Sequence, residues 1–281
     1  MKAPKCFRKF WLYILALKIL SSFPFLLVLF FFVTPAQSAP HAHIVLDAKT
    51  GEVLNEENAD TRLHPAGLTK LLSLYAAFEA IDTGLIGLED RARISLKAQS
   101  EPPVALGLRE GQRVSTSVLL KAVGVKGAND ASTALAEAID GSEAAFARRM
   151  NSYSQELGLT RSTWKNAHGL TEIGHLSTAR DIANLFIAHK RDFPNYFNLF
   201  SRIKTDVGVR EVTSSSRRLL LGIEGIIGAK YGYTRAAGFN GAVYVHRQDK
   251  KIVAVIFGAS STANLVGRMS ELVNVSFEPM R

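Results

Sequence analysis

Apolar positions recur along this chain with two different periods, and the change of period organises it. Ile44-Val45-Leu46 and Val53-Leu54 flank the polar Lys49-Thr50-Gly51, which predicts two strands and a turn between His43 and Glu57. Leu68, Leu71, Leu72, Tyr75 and Glu79 then fall at helical spacing, with Gly84 as the stop. Ser117 is read as the cap of a helix through Val125, and Asp130 as the cap of another from Ala131 to Ile139, ended by Gly141. Ser142 opens a longer helix to Leu157, closed by Gly158, and Ser177 or Thr178 begins one to His189. The period then returns to two. Ala242-Val243-Tyr244-Val245 and Lys251 to Phe257 surround Gln248-Asp249-Lys250, a hairpin signal. A last helical stretch covers roughly Ala263 to Val273. Strands at both ends with helices between predict an α/β class, one antiparallel sheet built from both termini and packed by helices.

The first 38 residues follow neither pattern. Lys2, Lys5, Arg8 and Lys9 precede an apolar run from Phe10 to Val33, and Ala36 and Ser38 supply the small residues a signal peptidase accepts. Residues 1–38 are read as a signal peptide cut after Ser38 and residues 39–281 as the mature domain. An uncleaved anchor is the alternative, since about twenty apolar residues span a bilayer; Lys18 and Pro24 interrupt the run. Either reading puts the body of the protein outside the cytoplasm. The chain carries a net charge of +9, and loss of the five basic residues of the leader leaves +4, too mild for a nucleic-acid binder. The one cysteine, Cys6, sits in the leader, so no disulfide, thiolate nucleophile or Cys-ligated zinc is expected in the mature domain.

Three short segments carry the candidate chemistry: Pro65-Ala66-Gly67-Leu68-Thr69-Lys70, Gly127-Ala128-Asn129-Asp130-Ala131 and Lys230-Tyr231-Gly232-Tyr233-Thr234. In order and spacing they resemble the S-x-x-K, S-x-N and K-T-G boxes of penicillin-binding proteins and β-lactamases. Asp47-Ala48-Lys49-Thr50-Gly51, Leu106-Gly107-Leu108, Glu156-Leu157-Gly158-Leu159, His168-Gly169-Leu170 and Ser177-Thr178-Ala179-Arg180-Asp181 are similar to strings of the D-alanyl-D-alanine carboxypeptidases. The likeness runs from about His43 to Ser260. It implies a β-lactamase/transpeptidase-like fold with a helical lobe, a peptidoglycan stem peptide or a cell-wall protein as partner, and no cofactor or metal. Membrane contact is expected only through the leader, if uncleaved. Relatives of this kind carry a small β domain and an amphipathic anchor after the catalytic domain; with Val273 so near the last residue, neither is expected here.

The departures from the boxes bear directly on function. The resemblance implies a serine nucleophile three residues before a lysine base, one helical turn apart. Gly67 stands in the nucleophile position, and Lys70 remains. The second box has Gly127 for serine while Asn129 persists, and the third has Tyr231 for threonine between Lys230 and Gly232. Three side-chain hydroxyls are replaced at three separated sites. Removing such a serine from a hydrolase costs on the order of 10⁶ in turnover, roughly 8 kcal/mol of barrier. Ser73 is one turn too deep to substitute, and Thr69 points elsewhere on the helix. The expectation is an exported homologue that binds rather than cleaves, with the amines of Lys70 and Lys230 facing one cleft that favours an anion. An active carboxypeptidase with divergent residues and a surface adaptor with a vestigial cleft are the alternatives. Tyr231 is read as a wall of the cleft, His168 as a packing or capping residue, Arg217-Arg218 as a solvated edge, and His41 with His43 as a solvent-exposed pair lacking further metal ligands.

Overall fold

The computed structural model describes residues 41–208 and 210–278; the leader read over residues 1–38 lies outside them. The elements in chain order are β1 (Ala42–Asp47), β2 (Val53–Glu57), a 3₁₀ turn (Ala66–Leu68) leading into α1 (Thr69–Asp82), β3 (Arg91–Arg93), α2 (Leu96–Gln99), β4 (Arg113–Ser115), α3 (Thr116–Lys121), α4 (Asn129–Asp140), α5 (Glu143–Glu156), α6 (Ala179–Asp192), β5 (Lys204–Asp206), β6 (Glu211–Thr213), α7 (Arg217–Gly222), β7 (Ile226–Thr234), β8 (Gly238–Arg247), β9 (Lys250–Ala259) and α8 (Thr262–Phe277). The main sheet is antiparallel, in the order β2-β1-β9-β8-β7, so strands from both ends of the chain meet at its centre. β3 with β4 and β5 with β6 form small two-stranded ribbons that the hydrophobic pattern did not announce.

Period-two patterning explains the layers. Ile44, Leu46, Ala242, Tyr244, Val253, Val255 and Phe257 point into a core shared with α1, α4, α5 and α6. The alternate positions, Val45, Val243, Val245, Ile252, Ala254 and Ile256, pack against Leu219 of α7 and Leu265, Met269 and Val273 of α8. Helices therefore cover both faces. This is the α/β architecture expected. The helix α1 is buried nearly all round, with Leu71, Leu72, Leu74, Ala76, Ala77 and Phe78 fully enclosed, so it forms the spine of the helical lobe.

Caps were partly legible. Ser142 and Thr178 accept from the backbone N–H of Ala145 and Asp181, as N-caps do. Two expectations need correction. α3 starts at Thr116 rather than after Ser117, because β4 hands directly into it at Ser115, and beyond Lys121 it widens into a π-helical segment, Ala122–Lys126. Asp130 is not a cap either: Ala128 holds that position, and Asp130 lies inside the first turn of α4. Its carboxylate reaches out of the helix and accepts from the backbone N–H of Leu106 at 2.8 Å, Gly107 at 2.8 Å and Leu108 at 3.0 Å. The loop crossing the start of α4 is thus pinned to it.

Candidate functional site

The three boxes converge. Gly67 and Lys70 from the head of α1, Gly127 and Asn129 from the approach to α4, and Tyr231 and Gly232 from β7 line one cavity of about 230 Å³. Gly67 lies in the 3₁₀ turn, directly beneath the third box. A Cβ built on it would stand 2.7 Å from the Tyr231 carbonyl oxygen and 2.9 Å from Gly232 Cα. Both neighbours are backbone and cannot swing aside. The strand β7 therefore occupies the space that any side chain at residue 67 would need. Gly127 has φ +76°, a left-handed conformation that favours glycine, and a Cβ there would lie 3.1 Å from Ser215 Oγ.

Lys70 is 3% exposed. Its amine nitrogen donates to Asn129 Oδ1 at 2.8 Å and to the His168 carbonyl oxygen at 2.5 Å. Burial pushes its pKa down to about 7, against the pull of Glu101 and Asp130. A neutral amine keeps two N–H groups, enough for both acceptors. Asn129 is fully engaged at both ends, since its Nδ2 donates to the Pro102 carbonyl at 2.9 Å. Behind it, the His168 ring sits between Glu101 at 3.4 Å and Glu143 at 3.2 Å, and Glu143 also accepts from Lys97. Burial alone would raise the Glu101 carboxyl, yet the His168 contact holds it below its ordinary value. His168 thus fixes the carbonyl that Lys70 addresses.

Lys230 does not share the cavity. It is completely buried, and its amine donates to the carbonyls of Val123 at 2.7 Å and Gly124 at 2.8 Å. These belong to the π-helical segment, whose final carbonyls have no partner within the helix. Burial, and then the charge of Lys70, hold its pKa well below the ordinary value. The expectation of two amines facing one cleft is therefore corrected: Lys70 lines it, whereas Lys230 ties β7 to the π-helical segment. Tyr231 projects to the opposite face of the strand, beside Phe239 with ring centroids 6.4 Å apart, and lines the cavity rim. The other hydroxyls near α1 are committed elsewhere. Ser73 donates to the Ala167 carbonyl at 2.6 Å, and Thr69 pairs with His175 at 2.9 Å.

Sequence reasoning missed Glu101, Glu143 and Ser215. Ser215 Oγ is buried and, among the described residues, has no hydrogen-bond partner. Ser215 sits in the hydroxyl run Thr213-Ser214-Ser215-Ser216, and only the fold brings it to Gly127. The reading of His41 and His43 as an exposed pair also fails. His43 lies in β1 at 6% exposure, because the period-two pattern turns it toward the face covered by α8.

The D-alanyl-D-alanine carboxypeptidase family model matches residues 31–261. The chain belongs to that family. Among the curated carboxypeptidases, DacF of Bacillus subtilis is 32% identical over 239 residues, covering 83% of this chain and 61% of the relative. DacC of Escherichia coli is 33% identical over 226 residues, covering 78% of this chain and 56% of the relative. The chain thus spans about six tenths of the length of the carboxypeptidases it matches. Among solved structures, penicillin binding protein 5 from Haemophilus influenzae superposes with a TM-score of 0.78 at 27% identity, over 87% of this chain and 73% of that one. Penicillin-binding protein D2 from Listeria monocytogenes, in its cefotaxime-bound form, gives 0.77 at 25% identity, over 86% and 97%. The sheet and helical lobe are those of this family. Among the described residues no helix is long and apolar enough to cross a membrane.

Proposed function

We propose that this protein is an exported member of the carboxypeptidase family that has given up acyl transfer and acts at the cell wall by binding a peptidoglycan stem peptide or a protein partner. One observation carries this reading: the nucleophile position is Gly67, and the Tyr231-Gly232 backbone fills the volume a side chain there would take. Family chemistry needs an oxygen at that point, within reach of Lys70, to form the covalent intermediate. Ser73 and Thr69 are bonded elsewhere, and Ser215 reaches the cavity from the turn between β6 and α7, facing Gly127, rather than from the head of α1. What remains is a small cavity with one amine near neutrality, an engaged amide and an aromatic rim, which suits the end of a peptide better than it suits catalysis. The charged leader and its apolar run support export.

The test is intact-protein mass spectrometry after incubation with a labelled penicillin, beside calorimetric titration with a stem peptide ending in D-alanyl-D-alanine. The expected result is no added ligand mass. Heat of binding assigns the stem peptide as the partner; its absence assigns a protein partner. A penicillin adduct would establish a working acyl-enzyme and end the proposal.

A further inference from the structure

A second constellation lies far from the boxes, at the β1–β2 edge of the sheet. His43 of β1 and Glu57 of β2 are register partners, and His41, two residues before His43, falls on the same face. Three atoms converge there. His43 Nδ1 is 3.4 Å from His41 Nε2, and Glu57 Oε2 is 3.8 Å from His41 Nε2 and 3.6 Å from His43 Nδ1.

The far side of each ring fixes which nitrogen is bare. His41 Nδ1 lies 3.0 Å from the Phe257 carbonyl, which can only accept, so that nitrogen carries the hydrogen. His43 Nε2 lies 2.7 Å from Asn55 Oδ1 and donates to it. Each neutral ring therefore turns its lone pair inward, toward the other ring's lone pair and a carboxylate. Three acceptors facing one another repel unless a cation stands between them. A backbone carbonyl and an amide behind two ligating imidazoles form the outer shell that orients histidines on a metal.

We propose that His41, His43 and Glu57 bind a divalent transition-metal ion of the zinc type, held through His41 Nε2, His43 Nδ1 and a Glu57 oxygen. Two imidazoles and one carboxylate are the donor set that suits such an ion. With zinc–ligand bonds of about 2.0–2.2 Å, tetrahedral ligand atoms sit roughly 3.3–3.6 Å apart; the observed triangle of 3.4, 3.6 and 3.8 Å needs to contract by only a few tenths of an ångström. The Glu57 side chain is 55% exposed and that of His43 8%, so the fourth position opens to solvent on the carboxylate side. An ion here would tie β2 onto β1. The proposal stands independently of the reading of the cleft.

The experiment uses the full chain without a histidine tag, stripped with chelator and titrated with Zn²⁺ by calorimetry. Co²⁺ absorption serves as a second readout. The native protein should bind one ion per chain and give a tetrahedral Co²⁺ spectrum. His41→Ala and Glu57→Gln should each weaken binding by about 100-fold or more, and Asn55→Leu, which removes only the outer-shell acceptor, by about 10-fold. Glu57→Gln alters one exposed atom and preserves the fold, which a matching thermal melt verifies. Absence of saturable Zn²⁺ binding by the native protein, or native affinity retained in either His41→Ala or Glu57→Gln, would overturn the assignment.

Discussion

Gly67 and Gly232 are in backbone contact: a Cβ on Gly232 would stand 2.2 Å from the Gly67 nitrogen, and one on Gly67 would stand 2.9 Å from Gly232 Cα. Each glycine is the condition for the other. The first box and the third box have closed together at the point where family chemistry requires a hydroxyl and room for a substrate carbonyl.

It follows that Gly67→Ser does not recreate an enzyme. The new side chain must push β7 away from the head of α1, a strain of about 1–3 kcal/mol. The expected outcome is a lowered denaturant midpoint with no penicillin adduct by intact mass. A stable variant that acylates would show that β7 yields easily and that Gly127 and Tyr231 are tolerated.

The Asp130 carboxylate should matter more for stability than its distance from any ligand suggests. It is 1% exposed and accepts from Leu106, Gly107 and Leu108. Asp130→Ala leaves three backbone donors without their acceptor, at about 1–3 kcal/mol each where water cannot replace it. Loss of at least about 3 kcal/mol in urea unfolding is expected, and Asp130→Asn should lose less because its amide oxygen still accepts. Equal losses in the two variants would locate the effect in packing rather than in those bonds.

The fold was readable because its signals are local: period-two runs at both ends, helical spacing between, and Ser142 and Thr178 as caps. The convergence of Gly67, Lys70, Gly127, Asn129, Tyr231 and Gly232 also followed from the boxes. What eluded the sequence depends on where long side chains end. Lys230 reads as a cleft amine from its place in the box, yet it bonds carbonyls that exist only because α3 widens into a π turn. Asp130 reads as a cap from its position, yet it serves a loop more than twenty residues upstream. Glu57 stands 14 positions after His43, and only strand register brings them together.

Lys230 gives a test of that correction. Lys230→Met keeps the buried volume but leaves the Val123 and Gly124 carbonyls without their donor. A cost of roughly 2–5 kcal/mol is expected, with hydrogen exchange accelerated around 122–128. If Lys230→Met leaves stability and exchange unchanged while abolishing binding of an anionic ligand, the amine faces the cavity after all.

The last prediction concerns pH. In the unfolded chain Lys70 titrates near its ordinary 10.5, whereas in the fold burial lowers it to about 7. Between those values the unfolded state binds more protons than the native state, so stability rises with pH across the window. Below about pH 7 both states are protonated, and the fold bears the full cost of a buried ammonium. Lys230 is shifted in the same direction and steepens the same rise. Urea unfolding measured from pH 7 to 10 should therefore show increasing stability, with a smaller slope in Lys70→Met, where only the Lys230 contribution remains. Both contributions act through burial rather than surface pairing, so the slope should change little with added salt. A native slope that is flat or falling, or one that Lys70→Met leaves unaltered, would mean that Lys70 stays charged in the fold. Its contacts with Asn129 and His168 would then be those of an ammonium, and the cavity would carry a full positive charge at neutral pH.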